Sequence, residues 1–374
     1  MHARWFADGK RSLQLLAATA AACSAIAPIG SVEGLDAASA KAGVSPATGI
    51  DGGDAATVRR GLASALASGR LAPSSAAQHS ATLARAAAAI GRLSTPRAAI
   101  LSAVLHDVAV HASAYNEPRA IALFGMLEAN RAHLARPHSR VDARDIVDGA
   151  GVVYRTYPGH GFQFQALASF ARLNALVSGG REASADRLAL ALVERGITGR
   201  GSLYWEYYFP FHGPPRWTSG FVQAVAAQAL ARAGELLGDE ALAHAAYQSF
   251  RAMLQTHVRP LAGGLWIREY GFSDIAILNA QLQSLVSLTS FAAIANTSGA
   301  RRAVTQLDQA TRALLGEFDT GCWSLYSLGG ARASPHYHEY HVQLLRRLAA
   351  NRSHAIWRET VGRWSHTASP CRSG

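Results

Sequence analysis

Lysine is nearly absent from this 374-residue chain, occurring only as Lys10 and Lys41. The positive charge is therefore arginine, and 36 basic against 25 acidic residues leave a formal +11. Two readings of that charge stand side by side. It follows from an Ala- and Arg-rich composition, or it draws an anionic partner through a positive field. Nucleic acid is not the expected partner, because zinc-finger spacing, RNP-like motifs and basic runs are all missing. Cysteine is scarce as well: Cys23, Cys322 and Cys371 make no CxxC pair, which excludes a structural zinc site. Cys322 and Cys371 are either a disulfide of an oxidising compartment or two buried thiols. No unbroken apolar stretch reaches the ~20 residues of a membrane span, which excludes a multi-span membrane protein. A P-loop, a dinucleotide fingerprint and a Ser-His-Asp arrangement are missing too. What remains is 49% hydrophobic, enough for a sizeable core and too much for a wholly disordered chain.

The first residues carry Arg4, Lys10 and Arg11, followed by a short apolar run over 13–27 that ends in Ala25-Ile26-Ala27. That pattern predicts a signal peptide over 1–27 and a secreted or periplasmic protein with no integral membrane domain after cleavage. The alternative is an uncleaved anchor. Residues 28–54 are rich in Gly, Ala and Ser and read as a disordered linker. An N-terminal helical region follows over 55–136, with apolar residues at helical spacing near 56–69, 76–93, 97–113 and 117–135. The polar, broken stretch 137–151 reads as its boundary.

Helices beyond it are better marked. Phe164, Leu167, Ala171 and Val177 share a face, and Gly179-Gly180 ends that helix. Phe221, Val222, Val225 and Leu236 repeat the spacing up to Gly238; Asp239 then caps a helix through Leu242, Ala246 and Phe250. Asp274 is placed to cap another through Leu278, Leu282 and Leu285. Helix pairs joined by short Gly-containing turns stack as αα-hairpins. The expected fold is therefore all-α: an (α/α) toroid or incomplete barrel of helical hairpins, with short β segments in its loops. Trp266 to Tyr270 and Trp323 to Leu328 are candidates for such strands. Aromatic, polar loops over 154–165, 204–219, 266–274 and 323–340 are where a site belongs.

Three segments carry chemistry. Trp266, Glu269 and Tyr270 precede a helix; Asp319-Thr320-Gly321 leads to Tyr326; and His336-Tyr337-His338-Glu339-Tyr340-His341 opens another helix. Together they resemble the C-terminal helical domain of the D-glucuronyl C5-epimerases. That family shows W-x-x-E-Y before a helix with L-N-G, and here Leu278-Asn279-Ala280 follows Trp266, Glu269 and Tyr270. It then shows Y-D-T-G-x-x-x-x-Y-D-L, matched by Phe318-Asp319-Thr320-Gly321 and Tyr326-Ser327-Leu328. Its Y-H-x-x-H-x-x-Q-L is similar to Tyr337-His338, His341 and Gln343-Leu344, and its P-P-W-x-S to Pro214-Pro215-Arg216-Trp217-Thr218-Ser219 with one residue inserted. The resemblance runs over roughly 150–366.

The resemblance implies epimerisation at C5 of hexuronic acid units (glucuronate or iduronate) within an acidic polysaccharide. The C5 hydrogen lies α to a carboxylate. Its exchange needs a base on one face, a proton donor on the other and neutralisation of the carboxylate, and needs no cofactor. By resemblance Tyr270, Tyr326, Tyr337 and Glu269 are the catalytic residues, with Tyr326 and Tyr337 transferring protons and Tyr270 with Glu269 positioning or sharing the relay. A tyrosine acting as base requires a nearby arginine to lower its pKa. Arg155, Tyr157, Gln163, Glu206, Tyr208, Trp217 and Arg268 supply the stacking and charge that an acidic sugar needs. Asn279, His338 and His341 join them by resemblance as substrate-binding candidates. A metal is not expected at the histidines, since three convergent ligands are not evident.

Departures from the family pattern qualify that picture. The family's Arg three residues after the second tyrosine is Gly329 here, with Arg332, Arg268 and Arg155 as substitutes for carboxylate recognition. The β-rich N-terminal region of larger family members is missing. Two other readings therefore stay open: a lyase or hydrolase of acidic polysaccharide, with Glu206 and Glu269 as an acid pair, and a polysaccharide-binding protein without catalysis. The oligomeric state is not legible in the sequence.

Overall fold

A computed structural model describes residues 52–365. The expected signal peptide, nearly all of the linker and Cys371 lie outside them. Twelve α-helices carry the described residues, and nine short strands fill the connections. The first four are α1 (Gly52–Ala67), α2 (Pro73–Ile90), α3 (Thr95–Val110) and α4 (Glu117–Leu134), which pack on one another. An antiparallel sheet follows: β1 (Asp145–Val147), β2 (Val153–Tyr157) and β3 (Gly161–Phe164), in that order. Its first strand falls within the stretch that reads as broken and polar.

Four helical hairpins make up the rest. They are α5 (Ala166–Ser178) with α6 (Glu182–Glu194), α7 (Gly220–Leu237) with α8 (Glu240–Thr256), α9 (Leu278–Ala295) with α10 (Ser298–Leu314), and α11 (Pro335–Asn351) with α12 (Ala355–Trp364). Between them lie the ribbons β4 (Ile197–Gly199) with β5 (Ser202–Tyr204), β6 (Glu206–Tyr207) with β7 (Trp217–Thr218), and β8 (Val258–Leu261) with β9 (Gly264–Ile267). The first helix of each hairpin packs on the first helix of the next, so α5, α7, α9 and α11 form an inner wall and the second helices return outside. Helices α5 and α11 meet at most marginally, so the four inner helices form an arc that does not close on itself.

Sequence explains which helices lie inside. Helix α7 is mostly Ala, Val and Leu and is buried from Gly220 to Gly234, its few polar side chains included, as a largely apolar helix must be. Outer helix α10 is amphipathic: Ala300, Ala303, Leu307 and Ala310 face in, and Arg301 and Arg302 face water. Gly238 at φ 67° ends α7, and the Asp239 carboxylate accepts from the Ala241 and Leu242 amides to begin α8, as the sequence predicts.

One expected cap differs. Helix α9 starts only at Leu278, and Asp274 pairs with Arg268 at 2.8 Å instead. The Leu278 amide donates to the Tyr326 carbonyl at 3.0 Å, so a distant loop closes this helix end. Residues 323–328 form isolated bridges, Asp319 to Ser324, Leu325 to Arg332 and Ser327 to Ile277, rather than a strand. Because every inner helix is followed by an outer return, the four inner helices run the same way. The segments leading into them therefore gather at one end of the arc.

Candidate active site

Those leading segments and the first turn of α11 carry the four residues expected to be catalytic. Glu269 and Tyr270 follow β9, and their backbone is clamped on both sides. The Arg268 amide donates to the His257 carbonyl (2.8 Å), the Arg268 carbonyl accepts from Gly220 (2.9 Å), and the Gly271 amide donates to Thr218 (2.8 Å). Tyr326 is fixed through its own peptide groups, which bond Ala331 and Leu278, both at 3.0 Å. Tyr337 occupies the first turn of α11, behind the cap residue Ser334. All four are buried, with exposures of 1% for Glu269, 5% for Tyr270, 3% for Tyr326 and 1% for Tyr337.

The Tyr326 and Tyr337 rings meet edge to face, centroids 4.8 Å apart. Burial, then the Glu269 charge, raise the Tyr270 hydroxyl pKa well above the ordinary value, and burial with Glu269 and Tyr270 raises Tyr326. These tyrosines are therefore held protonated. The arginine expected to lower one of them is not among the groups that act on either. Glu269 behaves differently. Burial pushes its carboxyl up to about 8, against a smaller opposing pull from the Tyr270 hydroxyl. Glu269 Oε2 and the Tyr270 hydroxyl also lack a well-aligned hydrogen-bond partner.

An aromatic wall backs this group. Tyr157 interacts electrostatically with Tyr337 and Tyr270, and its hydroxyl accepts from Gln165 Nε2 at 2.6 Å. Gln165 Oε1 accepts from the Tyr207 hydroxyl at 2.7 Å, and Tyr207 stacks on Trp217 at 4.2 Å. Trp217 and Phe211 each lie 5.6 Å from the Tyr270 ring. The sequence places Tyr157, Gln165, Tyr207 and Trp217 in its polar-aromatic segments, with Tyr157 and Trp217 as the binding candidates among them; Phe211 carries no such signal. In a strand neighbouring side chains face opposite ways, so Tyr207 looks toward Tyr157 and Glu269 while Glu206 and Tyr208 look away.

The remaining candidates lie elsewhere or are already engaged. Arg155 shares a face with Tyr157 but forks onto Asp145 at 2.7 and 3.0 Å. Gln163 donates to Asp107 (2.8 Å) and to the His160 carbonyl. Glu206 is gripped by Arg119 at 2.7 and 3.0 Å, with Arg216 at 3.6 Å, and the buried Tyr208 sits beside it. Arg268 is paired with Asp274. His338 stacks on Trp323 at 3.8 Å, with Nδ1 against Ser324 and Nε2 against the Trp364 carbonyl. His341 Nδ1 meets the same Ser324 hydroxyl at 2.8 Å, and burial pushes its pKa down to about 3. Asn279 is buried one residue beyond Leu278, its Oδ1 without a partner. Gly329 sits at φ 66° in the turn closed by the Gly330 amide on Ser327, a conformation that disfavours the arginine of the family pattern. Cys322 is disulfide-bonded. A surface hollow of about 410 Å³ among Gln309, Arg312 and His354 contains none of the four catalytic candidates.

Residues 200–366, a little under half of the chain, match the family described as the D-glucuronyl C5-epimerase C-terminus. The resemblance read from the motifs holds over that segment, and the part before residue 200 lies outside the match. No curated protein matches the chain. Among solved structures, the endo-beta-1,4-glucanase CMCax from Acetobacter xylinum is similar over 54% of this chain and 67% of its own, at 12% identity and a TM-score of 0.39. A GH8 endo-beta-1,4-glucanase from an Achatina fulica gut metagenomic library is similar over 54% and 68%, at 18% identity and a TM-score of 0.39.

Proposed function

We propose that this protein is a cofactor-free epimerase acting at C5 of hexuronic acid units in an acidic polysaccharide. The observation that carries the proposal is the convergence of Glu269, Tyr270, Tyr326 and Tyr337 in one buried group whose carboxyl is pushed up to about 8 by burial. A base is most useful when its pKa lies near the working pH. Glu269 meets that condition and Tyr270 and Tyr326 do not, so Glu269, with Tyr270 beside it, takes the C5 proton. Tyr326 or Tyr337 returns a proton to the opposite face. This reverses part of the expected division of labour: tyrosine is the donor, and the carboxylate is the base.

The enediolate formed on proton removal carries two negative charges' worth of oxygen that must be stabilised. Hydroxyl donors from the tyrosine group do this in a dry site, where each is worth more than in water. The starts of the four inner helices lie at the same end, which adds a favourable field. Glu206 is taken up by two arginines and faces away from Glu269, which disfavours a paired-carboxylate hydrolase. An apolar run over 13–27 and a disulfide at Cys322 support export.

The test is deuterium uptake at C5 from D₂O by heparosan-type oligosaccharides, with ultraviolet absorbance followed in parallel. Label in intact chains is expected, with loss of at least ~100-fold in Tyr326→Phe or Tyr337→Phe, the usual scale for a positioned acid. Cleavage with unsaturated-uronate absorbance would instead identify a lyase.

A further inference from the structure

Near the tyrosine group lie exposed apolar side chains that the proton chemistry does not use. Phe272 is 37% exposed, and Ile275 and Leu328 are open as well. The Leu328 amide donates to the Ala276 carbonyl at 2.9 Å, which sets Leu328 beside the same loop. A scattered exposed apolar residue needs no explanation. Phe272 is different because its ring is pinned. Its centroid lies 5.7 Å from Tyr270 and 6.0 Å from Trp217, perpendicular to the indole. On another side it presses on the backbone at Gly213, where a Cβ would meet the ring at 2.7 Å. The ring is thus held in one orientation with part of its surface open. Next to it in the chain, Arg268 and Asp274 pair at 2.8 Å with 32% and 68% of their side chains exposed.

A fixed aromatic face bordered by planar polar groups matches the two-sided chemistry of a pyranose. Its axial C–H face is apolar, and its rim of hydroxyls is polar. We infer that Phe272, continued by Ile275 and Leu328 and flanked by the Arg268–Asp274 pair, is a stacking subsite for the sugar ring adjoining the unit held at Tyr270. This inference rests on the reading of the tyrosine group as a polysaccharide site. It also accounts for Gly213: any side chain there displaces the platform.

Calorimetric titration with a heparosan-type hexasaccharide, run beside the C5 exchange assay, tests it. Phe272→Ala raises Kd about 10-fold, with the loss in exchange falling on KM, and Phe272→Trp restores most of the affinity, as expected for a desolvated aromatic anchor. Gly213→Ala, which moves the ring without removing it, weakens binding less than Phe272→Ala. A Phe272→Ala protein that binds within twofold of wild type overturns the subsite, even if exchange proceeds normally and the epimerase reading stands. Binding that depends on Phe272 without any C5 exchange upholds the subsite and overturns the epimerase instead. A wild-type protein that does not bind the hexasaccharide overturns the subsite.

Discussion

At the scale of single residues, Glu269 is the group whose chemistry and stability pull in opposite directions. Burial lifts its pKa from the usual 4.5 to about 8. The folded protein keeps this proton over a pH range in which the unfolded chain releases it. The contribution to stability is therefore full below about 4.5 and is lost progressively as pH rises to about 8. Glu269→Gln keeps the shape and removes the ionisation. Its melting temperature should stay close to wild type below the ordinary carboxylate range. It should rise above wild type by a margin that widens up to about pH 8 and then holds. The same substitution should abolish C5 exchange, since the base is gone. Thermal melts across pH and the exchange assay on one preparation check both. A Gln variant less stable than wild type at alkaline pH would mean that the carboxylate is satisfied as an ion and is no poised base.

At the scale of elements, the short ribbons decide which side chains reach the site. Strand β9 delivers Glu269, and its first residue Gly264 lies against helix α10: a Cβ there would overlap the Gln306 carbonyl and meet the Ala310 amide at 2.9 Å. Gly264→Ala should therefore cost about 1–3 kcal/mol in denaturant unfolding, as overpacking does. It should also depress exchange, because the strand moves with the residue it carries. Such close approaches also mark where the sequence was readable and where it was not. Helices were legible because apolar residues recur every three or four positions over many turns, and Gly238-Asp239 is a local stop-and-start signal. Tyr270, Tyr326 and Tyr337 were legible through the order of motifs around them. A two-residue strand gives no such periodicity, so Tyr208 was chosen over Tyr207 although only Tyr207 faces the group. His338 and His341 look like substrate contacts in sequence, yet both are held by Ser324 more than ten positions away. Arg155 looked available because its partner Asp145 precedes it in a stretch that reads as a loop.

At the scale of the whole molecule, the site is assembled from more chain than the epimerase-like segment contains. Tyr157 and Gln165 belong to the hairpin and connection before α5, ahead of residues 200–366. That hairpin is held by the N-terminal helices: the Asn130 side chain in α4 bonds both the amide and the carbonyl of Phe162, at 3.0 and 2.7 Å, and Asp107 in α3 takes His160 and Gln163. A further tie is Arg119 of α4 onto Glu206, a two-pronged pair with both side chains largely withdrawn from water. Arg119→Ala would strand a buried carboxylate with Arg216 at 3.6 Å and the Tyr208 hydroxyl beside it. Removing one member of a buried pair costs roughly 3–5 kcal/mol, whereas replacing both by apolar groups is often nearly neutral. The remaining arginine places the expected loss near the lower end, about 3 kcal/mol in urea unfolding. The double variant Arg119→Met with Glu206→Leu should recover most of it. Full recovery of stability with exchange still impaired would mean that the N-terminal helices set the position of the Tyr207 ribbon as well as the strength of the fold. A single variant within ~0.5 kcal/mol of wild type would place the docking elsewhere, on Asn130 and Asp107, with the attraction within the buried pair offset by its desolvation.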